Sequence, residues 1–336
     1  MTVTSQKANK MKKFVSQQTF SRLSKRTSSS TFGLTKKFNN SNRNNAVLSN
    51  VRNLVALAIV AMMNVSMMCA QNIAIKAPAF AQPLVEQWIK SYNDSHSASE
   101  SVSLAAKNAE ADIQITVSEQ QAKQLGQSNI VFGRYAILPF AAAGSEAART
   151  FGNKKLNKTR LAHIYFNLDE EEDEFGDYTD SHKGMTIYSG NSQATVANSF
   201  AEYFGQQSTA FRGKRIQGDD RFVNLAVSRD QKGLALNAVS NLYDLNSRSL
   251  REGIQLLNLD VNRRVQTALN DNNLDELITV LEENESDAIA IANIGLSYDA
   301  QNPQTAEFVS WVLTEGVKYN HQFGLLNTKV DLQASK

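Results

Sequence analysis

Apolar and polar positions change period in short blocks from residue 72 onward, and each block predicts an element. Asn72-Ile73-Ala74-Ile75 reads as a strand, and PLVEQWIKSYND (83–94) as an amphipathic helix with Leu84, Trp88 and Tyr92 every four residues. Pro83 suits a first helical turn. ADIQITV (111–117) predicts a strand and SEQQAKQLG (118–126) a helix. IVFGRYAILPF (130–140) is a long apolar strand interrupted at Gly133-Arg134, and LNKTRLAHIYF (156–166) a helix with Leu161, Ile164 and Tyr165 inward. GMTIYSGN (184–191) reads as a strand ending in a turn that feeds the helix QATVANSFAEYFG (193–205). NLDELITVLEE (273–283) and TAEFVSWVLTEGVKYN (305–320) are further helices. Strand–loop–helix order predicts an α/β fold with largely parallel sheets. No repeat is visible, and four prolines without a Gly/Ser linker argue against two domains on a flexible tether.

Charge divides the chain. Residues 1–52 hold eleven Lys/Arg and no Asp or Glu, and the first acidic residue is Glu86. After position 70 there are 24 basic against 33 acidic residues, too little positive charge to neutralise a nucleic-acid backbone. The Ser/Asn/Lys-rich stretch 1–53 has the composition of a disordered extension, whether translation starts at Met1 or Met11. LVALAIVAMMNVSMMCA (54–70) follows Arg52, carries no charge and ends in small residues, the pattern of a signal peptide. Cleavage after Ala70 would leave Gln71 first and place the protein in the periplasm or cell envelope. Cys69 offers the alternative of lipid anchoring, and the stretch itself that of helix anchoring. A single cysteine excludes a disulfide scaffold.

Six stretches, in order, resemble the extracytoplasmic phosphate-binding proteins of ABC transporters, which have the type 2 periplasmic-binding fold. IAIKAPAFAQPLVEQWIKSYN is similar to the family's opening strand, anion loop and P-L-V-E-x-W helix, and ADIQITV to its next strand. VFGRYAILPF resembles the strand that leaves the first lobe, and LNKTRLAHIYF the helix after it. MTIYSGNSQATVANSFAEYF stands where the family has its second anion loop, and FVSWVLTEGVKYN resembles the closing helix. The resemblance implies a two-lobed α/β protein with ligand in the cleft between lobes. Lobe one is expected from 71–140 plus 290–336, and lobe two from 141–289. It also implies a non-enzymatic, monomeric protein without cofactor that captures a small anion or polar solute and delivers it to a membrane transporter.

The anion loops depart from the family pattern. Ala79 stands at the first loop's hydroxyl position, and Ala194-Thr195-Val196 replaces Ser-Gly-Thr at the second. The family's anion-binding Arg falls near Tyr188 or Ser189. Each lost hydrogen bond to a charged group is worth roughly 1.5–3 kcal/mol, so phosphate itself is expected to bind weakly. Two functional classes remain open: an anion or polar-solute receptor, and an envelope interaction or accessory protein that keeps the fold without a small ligand.

Candidate ligand groups are the turn Ser189-Gly190-Asn191-Ser192 with Thr195 in the following helix, where strand ends and helix N-termini meet. The alternative is a plain turn with Ser192 as helix cap. Arg212, Lys214 and Arg215 form a basic cluster before Asp219-Asp220, readable as an anion site or as a solvated loop with internal ion pairs. Arg134 is expected either at the cleft or paired with a carboxylate at the lobe edge. Asp169–Glu174 with Asp177 and Asp180 lacks EF-hand spacing and reads as an acidic surface loop. The four histidines have no zinc-site spacing, and no nucleophile motif or phosphate loop is present.

Overall fold

The computed structural model describes residues 72–96, 101–106, 109–168, 184–191 and 195–329. All belong to one compact unit, Met67–Lys336. The segment 1–70 with Cys69, the acidic run 169–180, His182, and Ser192 to Ala194 lie outside the described residues.

The first half of the fold follows the hydrophobic pattern closely. Strand β1 (Ile73–Lys76) leads into helix α1 (Gln82–Ser95), whose Leu84, Trp88 and Tyr92 are buried as the four-residue spacing requires. Trp88 packs edge-on against Phe132 at 4.9 Å and donates its indole N–H to the Gly316 carbonyl at 2.9 Å. Strand β2 (Val102–Leu104) pairs with β1, and β3 (Ile113–Thr116) lies on β1's other side. Helix α2 (Glu119–Leu125) starts at Ser118, whose hydroxyl accepts from the Gln121 N–H, and stops at Gly126 with φ 64°.

Two long strands join the halves. β4 (Ser128–Ala142) runs antiparallel to β9 (Ala290–Tyr298) from Ser128 to Ile137. From Ile137 to Ala141 it pairs with β7 (Gly233–Ala238), and β8 (Ile254–Leu256) adds to the same end. Every residue from Phe132 to Ala141 is buried, because β4 is covered on both faces. The break read at Gly133-Arg134 is a register shift between Val131 and Gly133. A side chain at Gly133 would meet Asn320 Nδ2 and Leu326 O at 3.1 Å, so the chain's closing segment can lie directly against the strand.

The sheet order is β2-β1-β3-β9-β4-β7-β5-β6, with β5 (Thr186–Gly190) parallel to β7 and to β6 (Lys214–Ile216). Each half contains parallel pairs, whereas the shared strands run antiparallel. Helices α3 (Glu146–Gly152), α4 (Lys158–Tyr165), α5 (Val196–Tyr203), α6 (Asp220–Ser228), α7 (Val239–Leu242), α8 (Arg263–Asn270) and α9 (Leu274–Glu283) accompany the second half. Helix α10 (Pro303–Thr314) returns to the first, near α1. This is the two-lobed α/β architecture that the resemblance implies, but with a mixed sheet instead of the largely parallel one expected from the strand–helix order, because the long shared strands β4 and β9 pair antiparallel.

Candidate functional site

The carboxyl ends of β1, β3 and β5 face helix N-termini, which is where an α/β sheet collects ligands. An oxyanion there would need free backbone N–H groups, so the question is what each helix start already binds.

Helix α1 offers little. The Gln82 N–H turns back to the Pro78 carbonyl at 3.1 Å, and Pro83 has no N–H. Ala79 supplies no hydroxyl, and Phe80 is buried against Tyr135 with ring centroids 4.9 Å apart.

Helix α2 is occupied by a side chain from another helix. The Glu202 carboxylate of α5 accepts from the N–H groups of Glu119 at 3.2 Å and Gln120 at 3.1 Å. With Ser118 holding the Gln121 N–H, the first turn has no donor left. One turn earlier on α5, Ser199 donates to the Val117 carbonyl at 2.5 Å and accepts from the Tyr135 hydroxyl at 2.5 Å. Tyr135 also reaches the Val117 carbonyl at 3.0 Å, and burial pushes its phenol pKa upward. These contacts tie α5 to the β3–α2 turn.

Helix α5 carries its own plug. Asp220, 5% exposed, accepts from the Val196 N–H at 3.0 Å through Oδ2. Its Oδ1 has no partner among the described residues. Burial is the main cause that raises the Asp220 pKa to about 7, against the Val196 hydrogen bond that lowers it; Asp219 adds to the rise. A side chain at Gly190 would lie 2.6 Å from Thr195 Cγ2 and 3.0 Å from Asp220 Oδ1. Glycine is needed here because the space beyond β5 is filled by protein.

The expected site residues are therefore only partly brought together. Gly190 and Thr195 meet beside Asp220; Ser189 and Thr195 are buried, and Ser189 Oγ has no partner among the described residues. Asn191 is exposed, with its N–H on the Ile216 carbonyl at 3.1 Å. Ser192 lies outside the described residues.

The basic cluster does not converge. Lys214 and Arg215 lie on edge strand β6 rather than in a loop, opposite Tyr188 and Ser189. Successive strand residues point to opposite faces. Lys214 stands 5.5 Å from the Tyr188 ring, and Arg215 stacks 5.5 Å from Phe211 while donating to the Ser208 carbonyl. Arg212 donates to the Phe166 carbonyl at 2.6 Å. Asp219 pairs with Arg221 at this segment, at 2.7 Å.

Arg134 lies on β4 beside the closing segment and lines a cavity there. Its Nε donates to the Asn327 carbonyl at 2.8 Å. Desolvation lowers its pKa, against the opposing field of Glu282 and Glu285.

Glu202 and Asp220 are the site groups that sequence reading missed. The available signal was the doubled acid Asp219-Asp220 at a helix start. Asp219 caps its own helix through the Arg221 N–H, leaving Asp220 to serve a neighbour. Among the described residues, no group of three or more His, Cys, Asp or Glu is placed to hold a metal, and no helix is long and apolar enough to cross a membrane.

No family model matches the chain, and no curated protein matches it. Solved structures do. A Clostridium perfringens protein described as a phosphate ABC transporter substrate-binding protein, solved with bound phosphate, aligns at TM-score 0.53 and 12% identity, over 77% of this chain and 100% of its own. An ABC-type phosphate transport receptor from Vibrio cholerae aligns at TM-score 0.49 and 13% identity, over 76% and 100%. OxyR of Corynebacterium glutamicum, as a cysteine-to-serine mutant bound to H2O2, aligns at TM-score 0.46 and 12% identity, over 88% and 79%. The first of these likenesses shows the two-lobed binding-protein fold.

Proposed function

We propose that this chain is a non-catalytic protein of the two-lobed binding-protein fold that has turned its anion positions inward and acts as an accessory or interaction protein of the cell envelope. The observation that carries this reading is the placement of Glu202 and Asp220. The Glu119 and Gln120 N–H groups at α2 and the Val196 N–H at α5, which would face an oxyanion, hold carboxylates of the same chain. A carboxylate satisfies a helix N-terminus as well as a phosphate oxygen does, and an incoming anion would have to displace it against like charge.

The reading departs from phosphate capture, which is what the Clostridium perfringens neighbour is described as doing. It keeps a binding-protein scaffold. The uncharged stretch 54–70 supports export, and the acidic balance after position 70 supports a protein rather than a nucleic-acid partner.

The test is a thermal-shift series on the purified chain with phosphate, sulfate and molybdate. At about 1 mM each, the proposal expects no rise in Tm beyond that produced by chloride at equal ionic strength. An anion binding at about 1 μM would stabilise the folded state by about 4 kcal/mol at that concentration, and a rise of that size would overturn the reading.

A further inference from the structure

A cavity of about 760 Å³ opens where β4 and β9 pass each other, with Tyr203, the neighbour of Glu202, in its lining. That volume falls within the usual range for small-molecule pockets. Phe132, Ile291, Leu313 and Val317 supply an apolar wall, and Arg134 and Lys329 the cations. None of Ser189, Gly190, Asn191 or Thr195 lines it.

Arg134 is the informative group. It is 5% exposed, and its Nη2 has no hydrogen-bond partner among the described residues. Leaving a charged donor buried and unpaired is costly, so such a group points to an acceptor that completes it. The two carboxylates that act on Arg134 are already engaged, and a third, Asp287, lines the cavity beside Tyr203. Glu282 accepts from the Asn327 N–H at 2.6 Å and sits 2.9 Å from His321 Nε2. Glu285 is ion-paired with Lys329. Both hold Arg134 in its charged form without occupying Nη2.

From the buried, unpaired Nη2 donor beside an apolar wall, we infer that this cavity binds an amphipathic carboxylate, its head on Arg134 and its hydrocarbon body against Phe132, Ile291, Leu313 and Val317. A neutral oxygen would also accept from the guanidinium, but a carboxylate makes the stronger, charge-assisted bond. The inference is independent of the proposed function, because it uses neither Glu202 nor Asp220.

The probes are decanoate and decanol, titrated calorimetrically into the full chain. Decanoate should bind, and about tenfold more tightly than decanol, the ratio that separates charged from neutral hydrogen-bond pairing. In Arg134→Met the preference should vanish, leaving two equal and weak affinities. Ile291→Trp, which fills the apolar side, should weaken both probes together and serves if Arg134→Met does not fold. Equal affinities in the wild-type protein would overturn the inference, as would no decanoate binding at about 1 mM. Binding seen only in a chain ending at Lys329 would also overturn it, by making residues 330–336 the occupant.

Discussion

Replacing Asp220 by Asn should stabilise the protein at alkaline pH, the reverse of what removing a hydrogen-bonded carboxylate usually does. Asp220 keeps one bond, from the Val196 N–H at 3.0 Å, while Oδ1 has no partner among the described residues. Burial moves its pKa from the ordinary 3.8 to about 7. The folded state therefore binds the proton more tightly than the unfolded chain. Stability is highest below the unfolded pKa, falls as pH rises toward about 7, and is level above. At about 1.36 kcal/mol per pKa unit, a rise of roughly three units costs on the order of 4 kcal/mol once the group is ionised. Asparagine can accept the same N–H through its amide oxygen and never ionises. The Asp220→Asn variant should match the wild type within about 1 kcal/mol at pH 4 and exceed it by on the order of 2–4 kcal/mol at pH 8. Urea denaturation at the two pH values measures this. The difference between proteins isolates Asp220 from Glu282, Glu285 and Asp230, whose pKa values are lowered and which titrate in both. A variant less stable than wild type at pH 8 would refute the reasoning, since the charge would then have a compensating partner.

Other outcomes follow from the same contacts. Glu202→Ala removes an acceptor shared by two helix N–H groups and should cost about 1–2 kcal/mol in urea denaturation, less in high salt. Gly190→Ala forces a methyl group to within 2.6 Å of Thr195 Cγ2 and should lower stability by about 1–3 kcal/mol, read from the denaturation midpoint. N-terminal sequencing of the envelope fraction should find a mature chain starting near Gln71, and a chain recovered in the cytosol starting at Met1 or Met11 would contradict export.

Local chemistry made most of the fold legible. The four-residue spacing of Leu84, Trp88 and Tyr92 and the apolar run from Tyr135 to Phe140 report burial that each element imposes on itself. The Gly133-Arg134 interruption showed as a bulge for the same reason. The site was harder to read because its decisive groups act on other elements. Glu202 looks like a solvent-facing acid on an amphipathic helix, and only the packing of α5 against the β3–α2 turn brings it to Glu119 and Gln120. Asp220 is close to Val196 in space but 24 residues away in sequence. The cluster Arg212, Lys214 and Arg215 shows the converse. Charges adjacent in sequence were placed on a strand, where alternation sends Lys214 to Tyr188 and Arg215 to Phe211. The departures at Ala79 and at Ala194-Thr195-Val196 pointed away from an open oxyanion site, the direction the proposed function takes. What occupies the helix starts instead was a tertiary matter.

Amide hydrogen exchange at Glu119, Gln120 and Val196, followed residue by residue by NMR in the protein without added anion, tests the occupied helix starts most directly. The account predicts slow exchange at all three, because each N–H is held by a carboxylate. It further predicts that Glu202→Ala releases Glu119 and Gln120 while Val196 stays protected. Fast exchange at these amides in the wild-type protein, slowed on adding phosphate, would contradict it and restore an open oxyanion site.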